Sequence, residues 1–99
     1  MAQFDYYLRS DAAGYLLDCQ AEVLQHLNTR LVVPLLPSDE TVKPARHLNP
    51  IFALDGVDHI LVTQFAASIP VEELEQTSGS LATERYAVLN ALDFLITGI

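Results

Sequence analysis

The chain of 99 residues has no tryptophan, one cysteine and only five lysines and arginines. Each scarcity excludes something. Cys19 is the single cysteine, so no internal disulfide can form, which fits a reducing compartment. The histidines are His26, His47 and His59, none at metal-ligand spacing from another, and one cysteine cannot complete a zinc site. Glu22 and His26 are four apart, a spacing that suits a surface hydrogen bond far better than a metal. Five basic residues against thirteen acids give a formal net charge of -8. Such a surface does not attract phosphate, so direct binding to DNA or RNA is disfavoured. It suits solubility, or a basic partner or cavity. The amino-terminal segment Met1-Ala2-Gln3-Phe4-Asp5 has no basic stretch and no apolar run behind it. Neither a signal peptide nor a membrane span is expected, and the expected location is the cytoplasm.

Catalytic signatures are missing too. No glycine-rich loop is present to cradle phosphate, and Gly79-Ser80 lacks the glycine pattern of a nucleophile elbow. Glu72, Glu73 and Glu75 cluster as a solvated turn does. No cofactor is implied.

What is present is apolar. Hydrophobic residues make up 51% of the chain and charged residues 18%. A chain of this length reads as one small domain, residues 1–99, with limited capacity to bury surface. A β-rich core and a two-fold dimer interface are two compatible outlets for that surplus.

Residues Gln3 to Arg9 alternate, with Phe4, Tyr6 and Leu8 on one side and Asp5, Tyr7 and Arg9 on the other. That period of two predicts a strand with one covered face. Ser10 to Gly14 is turn chemistry, and Tyr15 to Cys19 completes a hairpin. Ala21 to Asn28 reads as a loop or single turn with exposed apolar groups. Arg30 to Leu36 is a strand buried on both faces, in which Pro34 requires an edge, a bulge or a bend. Pro37 to Asn49 is a polar surface loop. Pro50–Leu54 and Val57–Phe65 are strands joined by Asp55-Gly56, a strong hairpin signal. Ala66 to Val71 is a last extended piece, and Glu72 to Gly79 is acidic and turn-rich.

The remainder is helical. Val88, Leu89, Leu92, Leu95 and Ile96 form one apolar stripe, with Leu81 two turns back on the same side. Ser80 or Thr83 is placed to cap it. Tyr86, Asn90, Asp93 and Thr97 form a second row on another side. Gly98 takes the position where helices often end in a left-handed residue. The apolar character persists to Ile96 and Ile99, which is unusual for a chain end. The fold class is mainly β with a C-terminal helix: an antiparallel sheet curled into a small SH3-like barrel, with the helix lying on it.

An ordered set of segments carries a resemblance. Gln3-Phe4, Asp18-Cys19-Gln20, Arg30 to Leu35, Leu48-Asn49-Pro50, Ala67 to Val71, and Leu81 through Asn90-Ala91-Leu92-Asp93 to Gly98-Ile99 resemble the CcdB family of toxins over nearly the whole chain. The resemblance implies a non-enzymatic toxin of a plasmid or chromosomal toxin–antitoxin pair. Its members are homodimers that bind the A subunit of DNA gyrase and trap the cleaved gyrase–DNA complex. A partly disordered CcdA-like antitoxin wraps the toxin, removes it from gyrase and, as a complex, represses the shared operon. No nucleic acid is bound without the antitoxin. Carried over position by position, the gyrase-binding residues implied are Ala21, Val23, Leu24, Asn90, Asp93, Ile96, Thr97, Gly98 and Ile99. The best-known family pattern has a tryptophan where this chain has Thr97, and an asparagine where it has Asp93. Thr97 cannot supply the stacking contact a tryptophan offers.

Two other functions are weighed. A MazF-like endoribonuclease has a related barrel but needs a basic groove, for which Arg9, Arg30, Lys43, Arg46 and Arg85 are poor equipment. A degenerate homologue would bind an antitoxin and have no target. For the antitoxin, sheet edges and the Asp39–His47 loop are the expected contacts.

Overall fold

A computed structural model describes residues 2–39 and 43–99. Seven strands are present among them: β1 (Asp5–Leu8), β2 (Tyr15–Asp18), β3 (Thr29–Pro37), β4 (Ile51–Leu54), β5 (Val57–Leu61), β6 (Ala67–Pro70) and β7 (Thr77–Ser80). A single α-helix, α1 (Arg85–Thr97), follows. The sheet runs β4-β5-β3-β2-β1-β7, with β6 paired to β3 off this path. Every pairing is antiparallel. The result is the curled antiparallel half-barrel with one C-terminal helix that the sequence pattern predicts.

Strand β3 makes the curl. One edge pairs with β2 from Val32 to Leu35. Its other edge pairs first with β6, from Thr29 to Val32, and then with β5, from Leu35 to Pro37. Pro34 lies at the changeover. Its carbonyl accepts the Val62 amide at 2.9 Å, so its nitrogen also faces the gap between β6 and β5, because both groups of a strand residue point to the same neighbour. The missing N–H therefore falls where no ladder partner stands. From Val32 to Leu35 the strand is covered on both faces, as its run of β-branched residues predicts, while Leu31 is exposed. Val33 and Leu35 enter the main core with Leu17, Phe52 and Val88, while Val32 joins Tyr7 and Leu74 in a second cluster behind the sheet.

That second cluster corrects the reading of β1. Tyr7, assigned to the outer side, is 3% exposed, and Leu8, assigned to the covered side, is 67% exposed. The chain enters β1 through Phe4 at φ 72, and the register shifts between Tyr6 and Tyr7 where β7 pairs, so simple alternation fails. Strand β7 falls where the sequence pattern is acidic and turn-rich. Thr77-Ser78-Gly79-Ser80 has no apolar periodicity, and only its pairing with Asp5 to Tyr7 makes it a strand. Strand β5 is also shorter than its apolar run predicts, ending at Leu61 before a 3₁₀ turn at Thr63–Phe65. The β4–β5 turn is as expected. Asp55 and Gly56 both have positive φ, 53 and 77, the signature of a type I′ hairpin.

Helix α1 begins later than its pattern suggests, after a 3₁₀ turn at Ala82–Glu84. Ser80 Oγ accepts the Ala82 amide at 3.1 Å, but neither Ser80 nor Thr83 caps α1, which has no side-chain cap. The inward face is set by Val88 and Ala91, at 0% and 1% exposure, with Leu81 buried before it. The predicted stripe is corrected at its far end. Leu95 shares the face of Val88 but is exposed because the helix has run past the core, and Ile96 points off that face. No helix among the described residues is long and apolar enough to cross a membrane.

Gly14 gives the β1–β2 turn its test. It has φ +105, and an added Cβ would collide with the Leu35 carbonyl. Gly14→Ala is expected to cost more than about 1 kcal/mol in urea unfolding, whereas Gly56→Asn, in open space at φ +77, is expected to be tolerated.

Candidate protein-binding surface

The end of α1 is an apolar surface held in one shape. Gly98 takes the left-handed conformation at φ 74, and its N–H donates to the Phe94 carbonyl at 2.9 Å. The Thr97 hydroxyl donates to the Asp93 carbonyl at 2.7 Å and accepts the Ile99 amide at 3.3 Å. Thr97 thus fixes the path of the tail by hydrogen bonds. Ile96 and Ile99 stand out at 78% and 96% exposure. Asn90 and Asp93 are exposed, on the row the sequence sets apart from the core stripe.

A cleft of about 600 Å³ lies between α1 and the segment 44–50. Its walls include Arg46, His47, Asn90, Phe94 and Ile99. The His47 and Phe94 rings meet across it, 5.9 Å apart at their centroids. Buried Asn49 holds the near wall: its Nδ2 donates to the Leu61 carbonyl and Gln64 Oε1, and its Oδ1 accepts the Ala45 amide. Thr63 Oγ1 donates to the Leu48 carbonyl. Sequence reading missed Phe94 and His47 as parts of this surface. Phe94 stands between two residues that were singled out, and its aromatic size was the available signal.

The second group of residues, Ala21, Val23 and Leu24, sits on a 3₁₀ turn at Glu22–Leu24, all exposed as expected, with Val23 at 80%. Helix α1 lies against the Thr63–Phe65 turn and buries Val88 and Ala91 in the core cluster with Leu17, Phe52 and Leu61. Asn90 and Ile99 both line the cleft. Residues 40–42 of the Asp39–His47 loop lie outside the described residues.

Beneath that turn lies a buried ion pair. Asp18 and Arg30 are 0% and 4% exposed, with Arg30 Nη1 3.9 Å from Asp18 Oδ2. Burial pushes the Asp18 carboxyl above its ordinary range, against the opposing effects of the Gln20 amide and Arg30. Burial also pushes the Cys19 thiol up to about 12, so it is no nucleophile. Among the described residues, no group of three or more His, Cys, Asp or Glu is arranged to hold a metal ion.

A family model for the CcdB protein matches residues 3–98. The chain belongs to the CcdB family. Membership makes this CcdB-family chain a toxin of the toxin–antitoxin kind. No curated protein sequence matches it significantly. Among solved structures, the Mycobacterium tuberculosis toxin MazF-mt6 is similar in fold, with a TM-score of 0.70 at 20% identity over 90% of this chain and 92% of that one. At that identity the likeness speaks for the fold alone, here a barrel shared by two sorts of toxin.

Two outcomes test the buried groups. Native Cys19 is expected to resist a thiol reagent at neutral pH and to react fully once unfolded, read by absorbance. For Asp18 the folded pKa exceeds the unfolded 3.8, so the folded state binds the extra proton. The stability this confers is present in acid and is lost as pH rises through the folded value. Urea unfolding from about pH 4 to pH 7 is expected to show wild type losing stability relative to Asp18→Asn over that window.

Proposed function

We propose that this chain poisons DNA gyrase by binding its A subunit through the end of α1 and the 21–24 turn, holding the gyrase–DNA cleavage complex without any catalysis. The observation that carries the reading is the tail: two isoleucines nearly fully exposed on a backbone fixed by Gly98 and Thr97. A chain that spends apolar side chains this way gains nothing in its own fold. Burying Ile99 in a partner's pocket supplies about 1.5–3 kcal/mol per copy. The toxin acts as a homodimer, so that two tails meet the two-fold gyrase interface, symmetry against symmetry. Exposed Ile51, Val57 and Phe65 are apolar surface available to a second copy. Binding only the cleaved state draws gyrase toward it. A CcdA-like antitoxin neutralises the toxin, with the 43–47 segment beside the cleft as a contact: Lys43 and Arg46 give an otherwise acidic chain a small basic island. Cytoplasmic location accompanies this role.

The MazF-like fold favours one rival, an endoribonuclease. Against it, Arg30 is buried on Asp18, Arg9 is 3.8 Å from Asp11, and Arg85 lies over the Phe4 and Tyr86 rings at 5.9 and 5.7 Å. Few cations are left for an RNA groove.

Deletion of Thr97 to Ile99 is expected to abolish gyrase-dependent DNA cleavage and growth arrest while leaving thermal unfolding within a few degrees. RNA is expected to stay intact with both proteins. A truncated protein that still folds and poisons gyrase as well as the full chain would sink the reading.

A further inference from the structure

The loop from Ala21 to Asn28 has no buried residue, yet it follows a defined path. No hydrophobic anchor holds it, so its order must come from elsewhere. Backbone bonds within its turns, the Val71 amide on the Asn28 carbonyl and the Gln3 amide on Glu22 Oε1 supply part of it, and three polar side chains at its neck supply the rest. Gln20 Nε2 donates to the carbonyls of Leu24 and Thr29, both at 3.1 Å, and Gln20 Oε1 accepts the Leu31 amide at 3.0 Å. Arg30 Nη2 donates to the Gln25 carbonyl at 2.9 Å. Asp18 Oδ1 accepts the Gln20 amide at 3.1 Å, and its other oxygen faces Arg30. One amide side chain thus spans the neck, and one guanidinium reaches from the core to the loop backbone.

The charges are not explained by stability. A buried ion pair rarely beats well-packed apolar residues of the same volume. This one is not even well satisfied: Asp18 Oδ2 and Arg30 Nε have no hydrogen-bond partner among the described residues. The guanidinium is oriented toward Gln25 at the expense of its fit to Asp18. A long donor rooted in the core makes that reach, and the opposing Asp18 carboxylate balances the buried guanidinium charge.

We infer that Asp18, Gln20 and Arg30 form a positioning clamp that preorganises the apolar loop, and Val23 and Leu24 in particular, for docking against a protein partner. The inference rests on the gyrase reading for the identity of that partner and on the geometry alone for the clamp. Holding the loop beforehand removes the ordering cost that a floppy loop would charge at binding. Gln20, Asp18 and Arg30 act through the loop and need not touch the partner.

The test uses the full chain with Gln20→Leu and Arg30→Lys. Leucine removes the three side-chain bonds of Gln20, and a lysine ammonium cannot serve Asp18 and Gln25 together as the fork does. Amide hydrogen exchange is read at residues 22–28 and, for the core, at Val33 and Leu35. In both variants the loop amides are expected to exchange about tenfold faster, with the core amides changing much less. Affinity for purified gyrase A subunit is expected to fall about tenfold through the dissociation rate. Val23→Ser, a control on the surface itself, is expected to weaken binding with loop exchange unchanged. Loop exchange that stays at the wild-type rate, or rises only in step with Val33 and Leu35, overturns the clamp. So does a loosened loop with undiminished affinity. Wild type that shows no binding to gyrase overturns the gyrase reading instead, and the exchange result then decides the clamp by itself.

Discussion

The bend of β3 at Pro34 is the constraint from which the remaining geometry descends. A nine-residue strand with one partner on one edge and two in succession on the other cannot be flat. The residue at the changeover must leave a ladder position empty, and proline leaves it empty without orphaning a donor. Curling at that point brings the β4–β5 hairpin round so that Phe52 and Leu61 face Leu17 and Leu35, and α1 closes the remaining side with Val88 and Ala91. The same curl leaves the start of β3 beside β6, where Arg30 can be rooted and the 21–28 loop can hang from it.

Regular elements with strong local chemistry were legible in the sequence: the buried β3 run, the Asp55-Gly56 turn, the exposed Val23 and Leu24, and the helix with its left-handed Gly98. What was not legible depended on partners distant in the chain. Strand β7 is built of small polar residues and exists because β1 lies beside it. Tyr7 reversed its expected side because a second apolar cluster formed behind the sheet. The inward face of α1 is centred on Ala91, a residue too small to register in an apolar stripe, and apolar periodicity therefore carries the stripe on to Ile96. Of the candidate surface, the exposed row Asn90, Asp93 and Thr97 could be separated from the core by periodicity. The cleft with His47 and Phe94 could not, because it depends on Asn49 tying the 44–50 segment to Leu61 and Gln64.

Polar groups buried in this small core have a common use. Asn49, Thr63, Asp18 and Arg30 each make a hydrogen bond to the backbone of a neighbouring irregular segment. Loops carry binding surfaces, and a barrel of short strands has little apolar area left to anchor them. Side-chain bonds to loop carbonyls and amides take over that task. The acidic balance is compatible with this economy, since two of the five basic residues, Arg30 and Arg85, are drawn into internal contacts.

The last turn of α1 has a further consequence. Its path is set by Gly98, which would meet nothing if it carried a Cβ, and by the hydroxyl of Thr97 bonding within its own turn. No distant residue is needed to hold that shape. The tail is therefore a self-contained module: Ile96 and Ile99 can be exchanged without disturbing the barrel, and recognition can drift toward a new pocket while the fold beneath it stays the same.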